Sequence, residues 1–177
     1  NGDGVSGEVH VDWPIVGNAL PDFELAWNNN LAYKNFDLQL TMRGAFGHSL
    51  VNVNRAYYEV PDNSTNYNLV VTKYYNPERS GNEQYNSYYV EKADFFKLDN
   101  MSLGYNFKFQ NSPFKQLRLY VSGQNLFVIT DYTGVDPEVR YSYPNPDGTP
   151  NPLYPGVEDR NSYFRSRTYT IGVNIGF

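Results

Sequence analysis

From Arg167 to Phe177 the chain alternates without interruption between two kinds of side chain. The odd positions are Arg167, Tyr169, Ile171, Val173, Ile175 and Phe177; the even positions are Thr168, Thr170, Gly172, Asn174 and Gly176. Successive side chains on a strand point to opposite faces, so this segment predicts a strand with one apolar face and one small, polar face. The pattern recurs upstream. Phe36, Leu38, Leu40, Met42, Gly44 and Phe46 alternate with Asp37, Gln39, Thr41, Arg43 and Ala45. Met101, Leu103, Tyr105, Phe107 and Phe109 alternate with Ser102, Gly104, Asn106 and Lys108, and Leu117, Leu119 and Val121 with Arg118, Tyr120 and Ser122. A weaker strand sets Phe23, Leu25 and Trp27 against Glu24 and Ala26. About five strands are expected, with the phase slips near Asp99–Asn100 and Gly123 predicting β-bulges.

The intervening segments differ in length. Tyr33–Phe36 is a tight turn, and Lys108–Gln116 is short and contains Ser112-Pro113. Ser49–Asp94 and Asp131–Arg165 are long and rich in Tyr, Asn, Pro and Gly. Because short and long connections alternate, the long ones all leave the same end of an antiparallel sheet. Outer-membrane barrels are built this way, with brief periplasmic turns and extended external loops. Ten residues from Phe36 to Phe46, at ~3.3 Å each and tilted by ~40°, rise about 25 Å, the height of a lipid-facing band. Tyr33, Phe36, Phe107, Phe109, Phe114 and Phe177 would then fall near one membrane surface as an aromatic girdle.

Composition narrows the alternatives. No apolar run approaches the ~18 residues of a transmembrane helix, whereas barrel strands average out as hydrophilic. The absence of Cys removes disulfides and thiolate sites. A net charge of −5 argues against nucleic-acid binding, which needs clustered cations. Asn1–Gly4 begins as if in mid-loop with no export signal, so the expectation is a fragment, residues 1–177 forming the C-terminal part of a single barrel domain.

Gly17-Asn18-Ala19-Leu20-Pro21-Asp22-Phe23 followed by Tyr33-Lys34-Asn35-Phe36-Asp37-Leu38 looks like a late-barrel strand pair of SusC/RagA-type transporters. Asp94-Phe95-Phe96-Lys97-Leu98-Asp99-Asn100-Met101-Ser102-Leu103-Gly104-Tyr105 resembles a further strand. Gln124-Asn125-Leu126-Phe127-Val128-Ile129-Thr130-Asp131-Tyr132-Thr133-Gly134-Val135-Asp136-Pro137-Glu138 resembles the next, and Arg167–Phe177 the terminal one. The resemblance implies an all-β fold: the last five strands of a 22-stranded transmembrane β-barrel whose plug and N-terminal strands lie outside this sequence. It implies TonB-energised import of oligosaccharides or oligopeptides across the outer membrane of a Gram-negative bacterium, with the long loops extracellular. It further implies a SusD-like surface lipoprotein as lid, and contact with TonB through an N-terminal region absent here. Neither cofactor nor catalysis is implied.

Candidate site residues lie in the long loops. Tyr57, Tyr58, Tyr67, Tyr74, Tyr75, Tyr85, Tyr88 and Tyr89 offer flat apolar faces with hydroxyls, suited to sugar stacking or lid contact. They could equally pack the loop on itself. Tyr57, Tyr58, Tyr88, Tyr89, Asp131, Tyr132, Asp136 and Glu138 are taken as the substrate- or lid-facing set. Asp131, Asp136 and Glu138 lack EF-hand spacing and Pro137 suits a turn, so no metal site is assigned; nothing marks them as a glycosidase pair either. His10 and His48 have no triad or metal context, and Asn63-Ser64-Thr65 is a glycosylation sequon without use in a bacterium. A secreted, soluble β-sandwich gripping glycans through Tyr is the competing reading, and a secreted hydrolase a third. Detergent dependence separates the first two, since an open five-stranded sheet leaves an edge and a lipid face in water. Thr170, Gly172, Ile175 and Phe177 fit the C-terminal pattern by which barrels are recognised for assembly. Deleting Phe177 from the full-length protein is therefore expected to lower its outer-membrane level, measured by fractionation and immunoblot; an unchanged level would count against that role.

Overall fold

The computed structural model describes residues 15–59, 69–78, 86–109, 114–138, 149, 155–158 and 163–176. Five long strands, β1 (Phe23–Tyr33), β2 (Phe36–Phe46), β5 (Phe95–Lys108), β6 (Gln116–Thr130) and β7 (Thr168–Gly176), form one sheet. Their order is β1-β2-β5-β6-β7, and every neighbouring pair is antiparallel. Two three-residue strands, β3 (Ser49–Val51) and β4 (Val90–Lys92), make a separate ribbon inside the β2–β5 connection. That connection also holds a six-residue helix, α1 (Val53–Tyr58), whose N-cap Asn52 accepts the Arg55 amide. The sheet is open, with β1 and β7 at its edges.

Register carries the alternation across all five strands. Leu31, Leu38, Leu103, Val121 and Ile171 stand opposite one another in a single cross-sheet row. The next row, on the other face, is Ala32, Asp37, Gly104, Tyr120 and Gly172. In this row the face is apolar from edge to edge, and among the described residues no second sheet covers it: Ile171 is 83% exposed and Leu31 54%. A β-sandwich would bury this row, and the ribbon β3–β4 lies instead among the loops. At the short-turn end Phe36, Tyr105 and Phe107 make edge-to-face contacts with ring centroids 4.8 and 4.6 Å apart. At the other end Phe23 stacks on Phe46 at 4.9 Å. These ring pairs stand at the two ends of the apolar band, while Trp27 and Tyr169 lie between them; Phe177 lies outside the described residues.

Strand β1 runs six residues beyond the Phe23–Trp27 expected from the pattern, through Asn28-Asn29-Asn30, because full pairing with β2 holds it extended. Its turn into β2 has two residues, the first being Lys34 at φ +56°.

The phase slip at Asp99 is a bulge. Leu98 pairs with Met42 and Asn100 with Thr41, so Asp99 is the extra residue. Opposite it, β6 inserts Asn125 and Leu126 between the paired residues Gln124 and Phe127, with Asn125 at φ +52°. The slip expected at Gly123 therefore falls two residues later. Gly123 itself is paired on both sides, with Met101 and Tyr169. Its missing side chain leaves room for Leu126, whose Cδ2 would be 2.5 Å from any Cβ built there.

Buried apolar side chains are concentrated at the loop end. Leu50, Ala93 and Tyr132 form one small cluster, and Ala56, Tyr89 and Val51 another. The two long connections pack together there: the Val51 amide donates to Gly156 O at 2.7 Å and the Glu158 amide to Val51 O at 3.3 Å.

On the polar face Tyr120 lies flat over its partner Gly172, where a Cβ would come within 2.2 Å of the ring. Gly172→Val in the full-length protein should destabilise the barrel by about 1–3 kcal/mol through overpacking, read as a lowered thermal unfolding midpoint in detergent. Combining it with Tyr120→Ala should restore part of the loss; no rescue would show that the glycine matters for another reason.

Candidate functional site

The polar face gathers its charges in two groups. Near the short turns, Arg118 of β6 donates from Nε to Asp37 Oδ1 of β2 at 3.0 Å, and Asn106 Nδ2 of β5 donates to the same oxygen at 2.7 Å. This links three strands through one carboxylate.

The larger group lies at the loop end. Arg43 of β2 and Lys97 of β5 are direct cross-strand partners. Arg43 reaches Asp99 through Nε and donates from Nη1 to Glu138 Oε1 at 2.8 Å. Lys97 pairs with Asp99 at 3.2 Å and also with Glu138. Just before β7, Arg165 pairs with Asp136 and lies 3.3 Å from Glu138 Oε2. The bulge makes this possible. From Met101 to Phe107 the odd positions of β5 are on the apolar face; past Asp99 the parity reverses, and Lys97 comes to the polar side. Without the extra residue its ammonium would turn to the lipid-facing side, where a charge is disfavoured.

Glu138 does not belong to the sheet. It hangs from the segment after β6, where the Asp136 carboxylate accepts the Glu138 amide at 2.9 Å and His48 Nε2 meets Pro137 O at 3.1 Å. Burial pushes the Glu138 carboxyl up, but the Lys97 ammonium and Arg43 guanidinium outweigh it and hold the group below its ordinary range. Beside it opens a cleft of about 650 Å³ lined in part by Leu20, Pro21, Glu24, His48, Phe95 and Pro155. The second ring nitrogen of His48, Nδ1, is buried with no hydrogen-bond partner among the described residues.

The tyrosines expected in the loops divide by environment. Tyr89 is only 2% exposed and packs on Ala56. Tyr74 and Tyr88 stand over the Arg55 guanidinium at 4.7 and 5.3 Å, and the Tyr88 hydroxyl donates to Tyr74 O. Arg55 is in turn paired with Glu59 at 2.8 Å and Glu91 at 2.6 Å. Tyr57 and Tyr58 are half-buried and Asp131 is exposed. Tyr132 is buried against Leu50 and Ala93, and its hydroxyl donates to Glu158 Oε2 at 3.2 Å. Asp136 and Glu138 are brought together with the wall; Tyr57, Tyr58, Tyr88 and Tyr89 belong to the other connection. His10, Tyr67, Tyr85, Asn63-Ser64-Thr65 and Phe177 lie outside the described residues. No group of three or more His, Cys, Asp or Glu side chains fit to hold a metal ion occurs among the described residues.

Sequence reading did not single out Arg43, Lys97, Asp99, Arg165 or Glu158. Asp99 carried a signal, since it sits at the phase slip. Glu158 carried none. It is 1% exposed, and it accepts the Val135 amide at 2.6 Å and Asn54 Nδ2 at 3.3 Å besides the Tyr132 hydroxyl. Burial raises its pKa above the ordinary value, against the pull of those donors.

An antiparallel sheet with one bare apolar face, a charged opposite face and both long loops at one end is a wall segment of a transmembrane β-barrel. No family model matches the sequence. Curated relatives do. TonB-dependent receptor P3 of Formosa agariphila is 32% identical over 185 residues, covering 97% of this chain and 18% of that protein. TonB-dependent receptor P26 of the same organism is 30% identical over 194 residues, and TonB-dependent receptor SusC of Bacteroides thetaiotaomicron 28% over 195. Among solved structures, the RagAB peptide transporter superposes with a TM-score of 0.66 at 19% identity, over 89% of this chain and 17% of that one. The RagAB peptide importer in its open-open state gives 0.65. Over nearly its whole length the chain is thus similar to TonB-dependent receptors, SusC among them, and it shares the fold of the matching part of the RagAB transporter. It spans less than a fifth of the length of these relatives.

The two buried carboxylates should respond to pH with opposite sign. Glu138, held below its ordinary 4.5, contributes stability that is complete above that value and fades as pH falls through the lowered one. Glu158, raised above 4.5, contributes stability below that value and loses it as pH rises through the folded one. At pH 8, Glu138→Gln should therefore destabilise the loop region by about 1–3 kcal/mol, while Glu158→Gln should be neutral or stabilising. Hydrogen exchange of the segment 131–138 in the full-length protein distinguishes these outcomes; equal loss from both variants would contradict the assignment.

Proposed function

We propose that this chain supplies part of the wall and outer mouth of an active transporter that imports oligosaccharides or oligopeptides, energised through TonB and closed by a SusD-like lid lipoprotein. The observation that carries this reading is the uncovered apolar face, continuous over five strands, with the charged face on its other side. Hydrocarbon is the solvent that suits such a face, and the polar side then lines the space occupied by plug, water and substrate. The charges there are paired side chain to side chain. The long loops at the opposite end from the two short turns are then extracellular and available to lid and cargo. The relatives named as TonB-dependent receptors and the structural likeness to the RagAB peptide transporter support transport over catalysis and leave the cargo open between glycan and peptide.

The test uses the full-length protein in its native host. It should fractionate with the outer membrane, and deleting its gene should abolish growth on one class of oligomer while leaving growth on the monomer intact. Restored uptake should require both the barrel and an intact TonB system. Recovery of the protein in a soluble fraction, or uptake indifferent to TonB, would overturn the reading.

A further inference from the structure

We propose that Arg43 and Lys97 form a binding site for a single carboxylate on the polar wall, and that Glu138 of the β6–β7 connection occupies it as an internal stand-in that the ligand displaces. The inference rests on the reading that this face lines the substrate path.

Charge bookkeeping motivates it. The paired wall groups are Arg43, Lys97 and Asp99, two cations and one anion on adjacent strands, with Glu24 of β1 exposed on the same face. The Lys97 side chain is only 9% exposed, and Asp99 is shared with Arg43. A cation so far out of water needs a counter-charge. Glu138 provides it, and does so from outside the sheet: its carboxylate accepts from Arg43 Nη1 at 2.8 Å and Nη2 at 3.4 Å, with Lys97 on the same group. Two guanidinium nitrogens on one carboxylate are the geometry by which arginine recognises free carboxylates in general. A strand side chain can move away only by turning about its own χ angles. A loop residue can also shift with its backbone.

The surroundings select the ligand. Glu24, Asp99 and Asp136 around the cation pair disfavour a doubly charged phosphate ester, and the forked Arg43 contact matches a planar carboxylate. The adjoining cleft, about 650 Å³, has Leu20, Pro21, Phe95 and Pro155 in its lining and meets both Arg43 and Glu138. A small molecule or short oligomer that ends in a carboxylate and carries an apolar body next to it fits both features. Peptide C-termini and uronic acids share the carboxylate; the apolar lining favours the peptide. Arg165, which holds Asp136 and lies 3.3 Å from Glu138, steadies the stand-in from the loop side without touching the wall cations.

Purified full-length protein in detergent would be titrated calorimetrically with acetyl-alanyl-leucine, with its C-terminal amide, and with a digalacturonate. The acid should bind at least about tenfold more tightly than the amide, the ratio expected for a charge-assisted bidentate contact. Glu138→Gln should tighten the acid about fivefold or more by vacating the site. Arg165→Gln should move affinity the same way by a smaller factor, which keeps the test available if the first variant loosens the loop. Arg43→Met should erase the difference between acid and amide, and Lys97→Met should narrow it. Binding of the peptide acid alone, or of both acids, supports a carboxylate site and identifies its source. Equal affinity for acid and amide, or no gain in either Glu138→Gln or Arg165→Gln, overturns it. Because binding is read in detergent without uptake, a failure here leaves the fractionation and growth results standing, and the two readings fail separately.

Discussion

Backbone amides and carbonyls in hydrocarbon have no water to turn to, so every one must find its partner within the sheet. Between neighbouring strands that demand is met by antiparallel ladders of nine to thirteen paired positions, leaving only the outer sides of β1 and β7 open, and the side chains are then free to divide by face. All else in the chain follows from this division. An apolar row such as Leu31, Leu38, Leu103, Val121 and Ile171 would be a liability in a water-soluble sheet; in a bilayer it is the correct boundary.

The protein-style packing that holds most domains together has been moved to one end. Leu50, Ala56, Tyr89, Ala93 and Tyr132 are buried in the loop region, where β3, β4 and α1 give the long connections their own small interior. Polar contacts reinforce it: Asn52, Thr133, Glu91 and Arg55 form a linked set, with the Asn52 amide group donating to both Glu91 and Thr133. Lipid solvates the wall and protein solvates the mouth. The charge group around Glu138 is the joint between these two regimes, since it is the point where a loop carboxylate is bonded to strand cations.

Much of the wall could be read from residue order because period-two alternation survives burial in lipid. Phe36–Phe46 was bounded correctly to the residue, and the closing strand to within one. Asn28-Asn29-Asn30 was not legible as strand, because its extension comes from pairing with β2 and not from local preference. The bulge was visible on β5, where the phase breaks, and misplaced on β6, where Leu126 reaches back over Gly123. The loop interior left hardly any trace. Glu158 looks like any solvated acid in the sequence, and its burial depends on Asn54, Tyr132 and Val135 converging from distant positions. Tyr89 and Tyr132 illustrate the same limit: a tyrosine that could meet a sugar and one that fills a small interior are written with the same letter.

Asp99 has an evolutionary consequence. A strand residue ordinarily drifts under the constraint of its own face alone, but Phe95, Phe96, Lys97 and Leu98 owe their facing to a single inserted position. Loss of that position would exchange inside for outside across the whole quartet at a stroke. The facing of these four sites is therefore fixed jointly by one position on β5, and closing that gap would call for all of them to be rewritten together or for the cation to be found elsewhere.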